Sequence, residues 1–259
     1  MRKLNSLLVA SNKNALGSIK HWGTIMIFKQ FFEPNTSTFT YLLACEKTKQ
    51  AVLIDTVESE VPNYLKELEA QNLKLVYTLE THVHADHVTA ADALRQKIDS
   101  KSVVHRDAGA MCGDLLVTDG VHIIVGTIDL EVRYTPGHTN GCISFFAGDR
   151  IFTGDSLLIG GCGRTDFQSG DSGQLYDSIH HQIFSLPDDV IVYPAHDYNG
   201  KTKSTVGEER KNNKRLGGNR SREDFIKIMS ELKLAYPKFI DIALPANQAC
   251  GRVLPEQAA

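Results

Sequence analysis

The stretch Thr81-His82-Val83-His84-Ala85-Asp86-His87 places three histidines and one aspartate on a single turn of chain. The apolar run 73–79 before it reads as a strand, and 88–98 after it reads as a helix. Side chains alternate faces along an extended segment, so His82 and His84 point the same way. Asp86 and His87 then fall where the chain turns into the helix. Imidazoles and a carboxylate converging at a strand end suit a divalent transition metal. A polar surface turn has no use for three histidines, whereas histidine is the commonest metal ligand.

Working outward, segments 25–32 and 38–45 are rich in aromatic and β-branched residues and read as strands. Glu33-Pro34-Asn35 between them is turn chemistry. Residues 51–55 form a short apolar strand ending in an acid. The segment 56–71 carries Val61, Tyr64, Leu65 and Leu68 at helical spacing. Beyond the metal turn, 102–105 reads as a strand. Segments 121–125 and 128–134 form a hairpin at Gly126-Thr127, and 142–146 and 150–153 form another at Gly148-Asp149. A helix is predicted over 173–186, then a strand over 190–193. Residues 201–220 are polar and basic and read as a loop. Ser221 with Asp224 makes a capping box that opens a helix running to about residue 235. This order is not the strict strand–helix alternation of a doubly wound sheet. It predicts an α/β fold of two mixed sheets packed face to face with helices outside.

The length of 259 residues permits one layered domain, expected over 26–259. Residues 1–25 differ from the rest: they contain Arg2, Lys3, Lys13 and Lys20 and no acid. They read as an N-terminal extension, either a transit peptide or an unstructured leader ahead of Met26. The first reading implies a mitochondrial matrix protein, the second a bacterial cytoplasmic one. A net charge of −3 gives no electrostatic footprint for nucleic acid, and no apolar run has the length of a membrane span. The five cysteines, at 45, 112, 142, 162 and 250, are odd in number and form no C-x-x-C pair. They predict free thiols in a reducing compartment, with Cys162 and Cys250 near the pocket as buried, inert groups.

Four predicted strands end in a metal-competent residue. The first leads into His82, His84, Asp86 and His87. The second leads into Thr135-Pro136-Gly137-His138, the third into Thr153-Gly154-Asp155, and the fourth into Pro194-Ala195-His196. Gly137 and Gly154 let the backbone bend just before the ligand. Each signal is weak alone; together they describe one site on loops held by a rigid scaffold. The residues by themselves point to a dinuclear centre with Asp155 bridging.

The ordered set H-x-H-x-D-H, His138, Asp155 and His196 resembles the metallo-β-lactamase superfamily. That resemblance implies an αββα sandwich with the metal at one edge of the sheets. His84 stands where the diiron flavoproteins of this fold have glutamate. Two glutathione-linked branches remain, glyoxalase II and the persulfide dioxygenases. Gly161-Cys162-Gly163-Arg164 occurs in both. Thr165-Asp166-Phe167-Gln168 is similar to the dioxygenases, as are Phe28-Lys29-Gln30-Phe31-Phe32-Glu33-Pro34, Tyr193-Pro194-Ala195-His196-Asp197-Tyr198, and Pro245-Ala246-Asn247-Gln248-Ala249-Cys250-Gly251. Asn213-Lys214 departs from the Asn-Pro of that family.

The resemblance implies an iron-dependent sulfur dioxygenase of sulfide detoxification. It would oxidise glutathione persulfide with O2 and water to sulfite and glutathione. It also implies a single Fe(II) per chain held by His82, His138 and Asp155, a facial triad with open positions. His84, Asp86, His87 and His196 would orient those ligands, or hold a second metal in the hydroxyacylglutathione hydrolase alternative. Arg164 is a candidate for gripping a glutathione carboxylate and Tyr198 for hydrogen bonding to substrate. The expected partners are glutathione persulfide and O2, without nucleic acid or membrane, for a monomer or homodimer.

Overall fold

The computed structural model describes residues 26–110 and 112–252; the 1–25 extension lies outside them. The first sheet opens with β1 (Met26–Glu33) antiparallel to β2 (Thr38–Cys45). The Glu33 carboxylate accepts from the Asn35 and Thr36 amides and closes the turn between them. Next come β3 (Gln50–Ile54), α1 (Val61–Ala70), β4 (Lys74–Leu79), α2 (Ala91–Ile98), β5 (Lys101–His105) and β6 (Leu115–Val117). They lie in sequence order, with β3 to β6 mutually parallel. The second sheet takes β7 (His122–Val125), β8 (Ile128–Tyr134), β9 (Ile143–Phe146) and β10 (Arg150–Gly154). After α3 (Ser172–Ser178) come β11 (Ile191–Pro194) and β12 (Ser204–Thr205), followed by α4 (Val206–Asn212), α5 (Arg222–Ser230) and α6 (Ile240–Gln248). Here β11 runs parallel to β10 and the other pairs are antiparallel.

Every residue of β2 is buried, because the strand is covered on both faces and therefore reads as an unbroken apolar run. Tyr41 and Leu43 face the core between the sheets, with Phe145, Phe152 and Tyr193 opposite. Leu42 and Ala44 face outward and pack with Tyr64 and Leu68 of α1 and Leu94 of α2. The second sheet is covered in the same way: Ile151 and Val192 pack under Leu175, Ile179, Val206 and Phe225. Two mixed sheets between helical layers are the predicted αββα sandwich.

Three local expectations change. Residues 204–212 form β12 and α4, not a loop. The Thr205 hydroxyl caps the helix by accepting from the Glu208 amide, and Val206 is its buried anchor. The capping box at Ser221 is present, but α5 ends at Ser230. The helix α6 gave no sequence signal, because Pro245 lies inside it and proline interrupts the amide ladder. The thiols also differ from expectation. Cys112 and Cys250 are joined, 138 residues apart, while Cys45, Cys142 and Cys162 are free and buried. Counting and spacing cysteines does not reveal that the C-terminal segment folds back onto the loop after β5.

Candidate metal centre

The C-terminal ends of β4, β8, β10 and β11 meet at one edge of the sandwich. The Ile143 amide donates to the Thr81 carbonyl across the two sheets, and the Phe39 amide donates to Ala195. At that edge the turns are tight. Gly154 has φ 53°, and a β-carbon there would lie 2.3 Å from Thr81 Oγ1. Gly137 has φ 128° and sits against the backbone of Leu175. Both glycines bend the chain just before a ligand, as their sequence position suggested.

One ligand atom from each of His82, His138 and Asp155 lies within 4.8 Å of the others. Their hydrogen bonds fix which atoms face inward. The Thr81 hydroxyl donates to Asp55 Oδ2 at 2.9 Å, and its single proton is thereby committed. It therefore accepts from His82 Nδ1 at 3.0 Å, which leaves His82 Nε2 with a bare lone pair. His138 Nδ1 donates to the Arg164 carbonyl at 2.6 Å, and its Nε2 stands 3.5 Å from Asp155 Oδ2. Burial and the neighbouring His84 and His138 hold the His82 pKa well below the ordinary value, so the ring stays neutral. Asp155 Oδ1 is buried without a hydrogen-bond partner, a condition that costs free energy unless an ion or water satisfies it. Two imidazole lone pairs and one unsatisfied carboxylate at this spacing fit a two-histidine, one-carboxylate iron centre.

The other four candidates surround this cluster. Asp86 Oδ2 lies 2.9 Å from His87 Nδ1 and 3.6 Å from His196 Nε2, and accepts from the Thr38 hydroxyl at 3.1 Å. Burial alone would raise the Asp86 pKa, but His87 and His196 bring it well below the usual range. His84 turns its Nε2 toward Asp55, at 3.2 Å, and Glu80, at 3.4 Å. Burial would lower the His84 pKa, yet these two carboxylates raise it well above normal. A second group of potential ligand atoms, from His84, Asp86 and His87, also lies within 4.8 Å, and His84 Nδ1 and His87 Nε2 are buried without partners.

A substitution distinguishes these groups. His84→Gln keeps an amide donor for Asp55 and removes the imidazole. One iron per chain is the expected content of the purified variant, measured by metal analysis. Near-total loss of metal would indicate a dinuclear centre.

Sequence reasoning missed Asp55, Glu80 and Gly163. Asp55, the residue after β3, takes a left-handed conformation, φ 53°, and also accepts from the Thr81 amide at 2.7 Å. Its signal was an acid closing an apolar strand. Gly163 donates its amide to the Asp155 carbonyl at 2.7 Å and leaves space for the His138 ring. Arg164 forks onto Asp166 at 2.6 and 2.8 Å and donates to the Ala235 carbonyl. Three of its five N–H groups are thus engaged within the fold. Tyr198 is 71% exposed, with its ring parallel to that of His196 at 6.0 Å.

The profile of the Metallo-beta-lactamase superfamily matches residues 34–196. The chain is 48% identical to the mitochondrial persulfide dioxygenase ETHE1 of Homo sapiens over 236 residues, 90% of this chain and 92% of that protein. The crystal structure of ETHE1 from Myxococcus xanthus superposes with a TM-score of 0.86 at 48% identity, covering 88% of this chain and all of that one. The chain belongs to the persulfide dioxygenase family of the metallo-β-lactamase superfamily. A probable hydroxyacylglutathione hydrolase of Schizosaccharomyces pombe is more distant, at 32% identity over 181 residues, 66% of this chain and 69% of that protein. The Thr165–Gln168 stretch, singled out for its resemblance to the dioxygenases, lies in the loop between Asp155 and α3. Gln168 there, at φ 49°, donates to the Val83 carbonyl at 2.8 Å and ties its loop to the metal turn.

Proposed function

We propose that the chain is an iron-dependent persulfide dioxygenase that converts glutathione persulfide, O2 and water into sulfite and glutathione. The carrying observation is the His82/His138/Asp155 cluster, set in a chain similar to persulfide dioxygenases over nine-tenths of its length. Bound iron would supply the redox chemistry, since a facial triad leaves room for substrate sulfur and O2 together. Both atoms of O2 and the oxygen of water end in sulfite, and the inner sulfur leaves as the glutathione thiol.

The protein's part is positioning. Thr81 and Arg164 engage the Nδ1 atoms of His82 and His138, which leaves each Nε2 as the atom to hold the metal, that of His138 standing 3.5 Å from the Asp155 carboxylate. Asp86 lies between His87 and His196 and holds the far wall of the site in place. Tyr198, exposed at the rim over His196, is placed to meet the substrate. Arg164 acts in this reading through its carbonyl on His138 and through the Asp166 fork that shapes the loop. The part of its guanidinium left unengaged is the candidate contact for a glutathione carboxylate. The proposed setting is a bacterial cytoplasm, or a mitochondrial matrix if residues 1–25 direct the chain there. Among the described residues no helix is long and apolar enough to cross a membrane.

Oxygen uptake tests the reaction. Iron-loaded protein is expected to consume O2 and release sulfite on addition of glutathione persulfide, and to leave S-lactoylglutathione intact. Thioester cleavage without O2 uptake would overturn the reading and favour a hydrolase built on the wider ligand set.

A further inference from the structure

The helix α6 reaches back to the metal turn through one side chain. Asn247 is buried, and its carboxamide meets three backbone groups of a single bend. Nδ2 donates to the His84 carbonyl at 2.8 Å and to the His87 carbonyl at 2.7 Å. Oδ1 accepts from the Thr89 amide at 2.8 Å. The amide cannot be reversed, because two carbonyls require donors and one N–H requires an acceptor. Asn247 is therefore a template for the path of residues 84–89, the turn that carries Asp86 and His87 past the cluster. Leu244, one turn earlier on α6, packs in the same small apolar cluster as Val83.

The seat of Asn247 is covalent. Three residues on, Cys250 is bridged to Cys112 on the loop after β5. The Cys250 carbonyl accepts from the Asp92 amide at 3.0 Å, and a β-carbon on Gly251 would lie 2.2 Å from the Thr89 carbonyl. Cys250 also shares with Asn247, His82 and His84 the lining of a cavity of about 10 Å³ behind the metal turn, room for about one water. Opening the bridge would therefore loosen the end of α6 beside Asn247, and neither cysteine is one of the three proposed ligands.

We propose that Asn247 is a positioning residue for the metal centre and that the Cys112–Cys250 bridge seats it. This rests on the reading that His82, His138 and Asp155 hold iron. Asn247 touches neither metal nor substrate; it acts through the peptide units at 84, 87 and 89. The bridge makes the centre sensitive to thiol reductants. Two thiols of the glutathione class supply two electrons and two protons, leave as their own disulfide, and convert the bridge into two cysteine thiols.

The test uses the full chain loaded with Fe(II), its bridge verified by intact mass after alkylation. Two quantities are read: the rate of iron transfer to a ferrous chelator, and the electron paramagnetic resonance spectrum of the nitric oxide adduct. Asn247→Asp keeps the shape but loses both donors. It is expected to release iron at least about tenfold faster, in line with losing a group that orients a ligand, and to shift the adduct spectrum. The parent protein reduced and alkylated, and Cys112→Ser, are expected to change in the same direction by a smaller factor. Parental release and spectrum in a folded Asn247→Asp variant would overturn the proposal. If that variant does not fold, unchanged release and spectrum in the reduced parent and in Cys112→Ser overturn it. A parent protein that takes up no iron would instead sink the iron reading itself.

Discussion

Alanine in place of Asp155 is expected to give a folded protein that holds no iron and consumes no oxygen with persulfide. Asp155 is the carboxylate in the cluster with His82 and His138, so the variant retains two imidazoles and no anionic donor within that cluster. Losing a partner that merely orients a ligand costs about 10–100-fold in metal affinity. Loss of a ligand that supplies charge should exceed the upper end of that range. The fold has little reason to fail. Asp155 lies just past β10, and its carbonyl, which the Gly163 amide uses, survives the substitution. Its Oδ1 has no hydrogen-bond partner, and its approaches to His138 and His196 are 3.5 and 3.6 Å. Removing a poorly satisfied carboxylate relieves desolvation while forfeiting weak attraction to two rings. The metal-free variant should therefore melt within a few degrees of the metal-free parent, a shift on the order of 1 kcal/mol or less for a domain of this size. Iron content per chain and thermal unfolding of both metal-free proteins check the prediction. One tightly bound iron per chain in the variant would overturn the assignment of the triad.

The difference between what was legible in the sequence and what was not lies in the range of the interactions involved. Local patterns carried the sandwich. The period-two runs, the Gly-bearing turns and the helical stripe of Val61, Tyr64 and Leu68 each record contacts made within one element. The four strand ends were legible for the same reason, because a ligand after a glycine is a local signature. Choosing three ligands from seven was not. That choice depends on Asp55 and Glu80 drawing His84 Nε2 away, and on Thr81 committing its proton to Asp55. Those partners lie just past β3 and just past β4, and no spacing rule connects them. The same holds for α6. Its Pro245 hid the helix, and the reason it docks, Asn247 on the 84–89 turn, spans about 160 residues of chain. The resemblance selected the mononuclear triad at a point where the residues alone favoured two metals.

Gly163 shows how a residue without a functional group can control the same centre, and Gly163→Ala should be nearly as damaging as loss of a ligand. Its conformation is not the left-handed one reserved for glycine, so the effect is one of space alone. A β-carbon there would stand 2.5 Å from the Asp155 carbonyl oxygen and 2.9 Å from His138 Nδ1. Neither neighbour can yield freely. The first is backbone held by the Gly163 amide itself at 2.7 Å, and the second is a ring pinned to the Arg164 carbonyl at 2.6 Å. A methyl group must therefore displace either the chain that presents Asp155 or the ring of His138, two of the three proposed ligands. Forcing one extra carbon into a packed site costs about 1–3 kcal/mol, so the protein should remain folded with a lowered melting temperature. Iron affinity should fall by about 10–100-fold, as it does when the orientation of a ligand is lost. The two readouts separate the causes. A lowered melting temperature with unchanged iron affinity would mean that the strain spreads into the 164–170 loop and spares the ligands. Loss of affinity in a folded variant would place the control of His138 and Asp155 in the space that Gly163 leaves open.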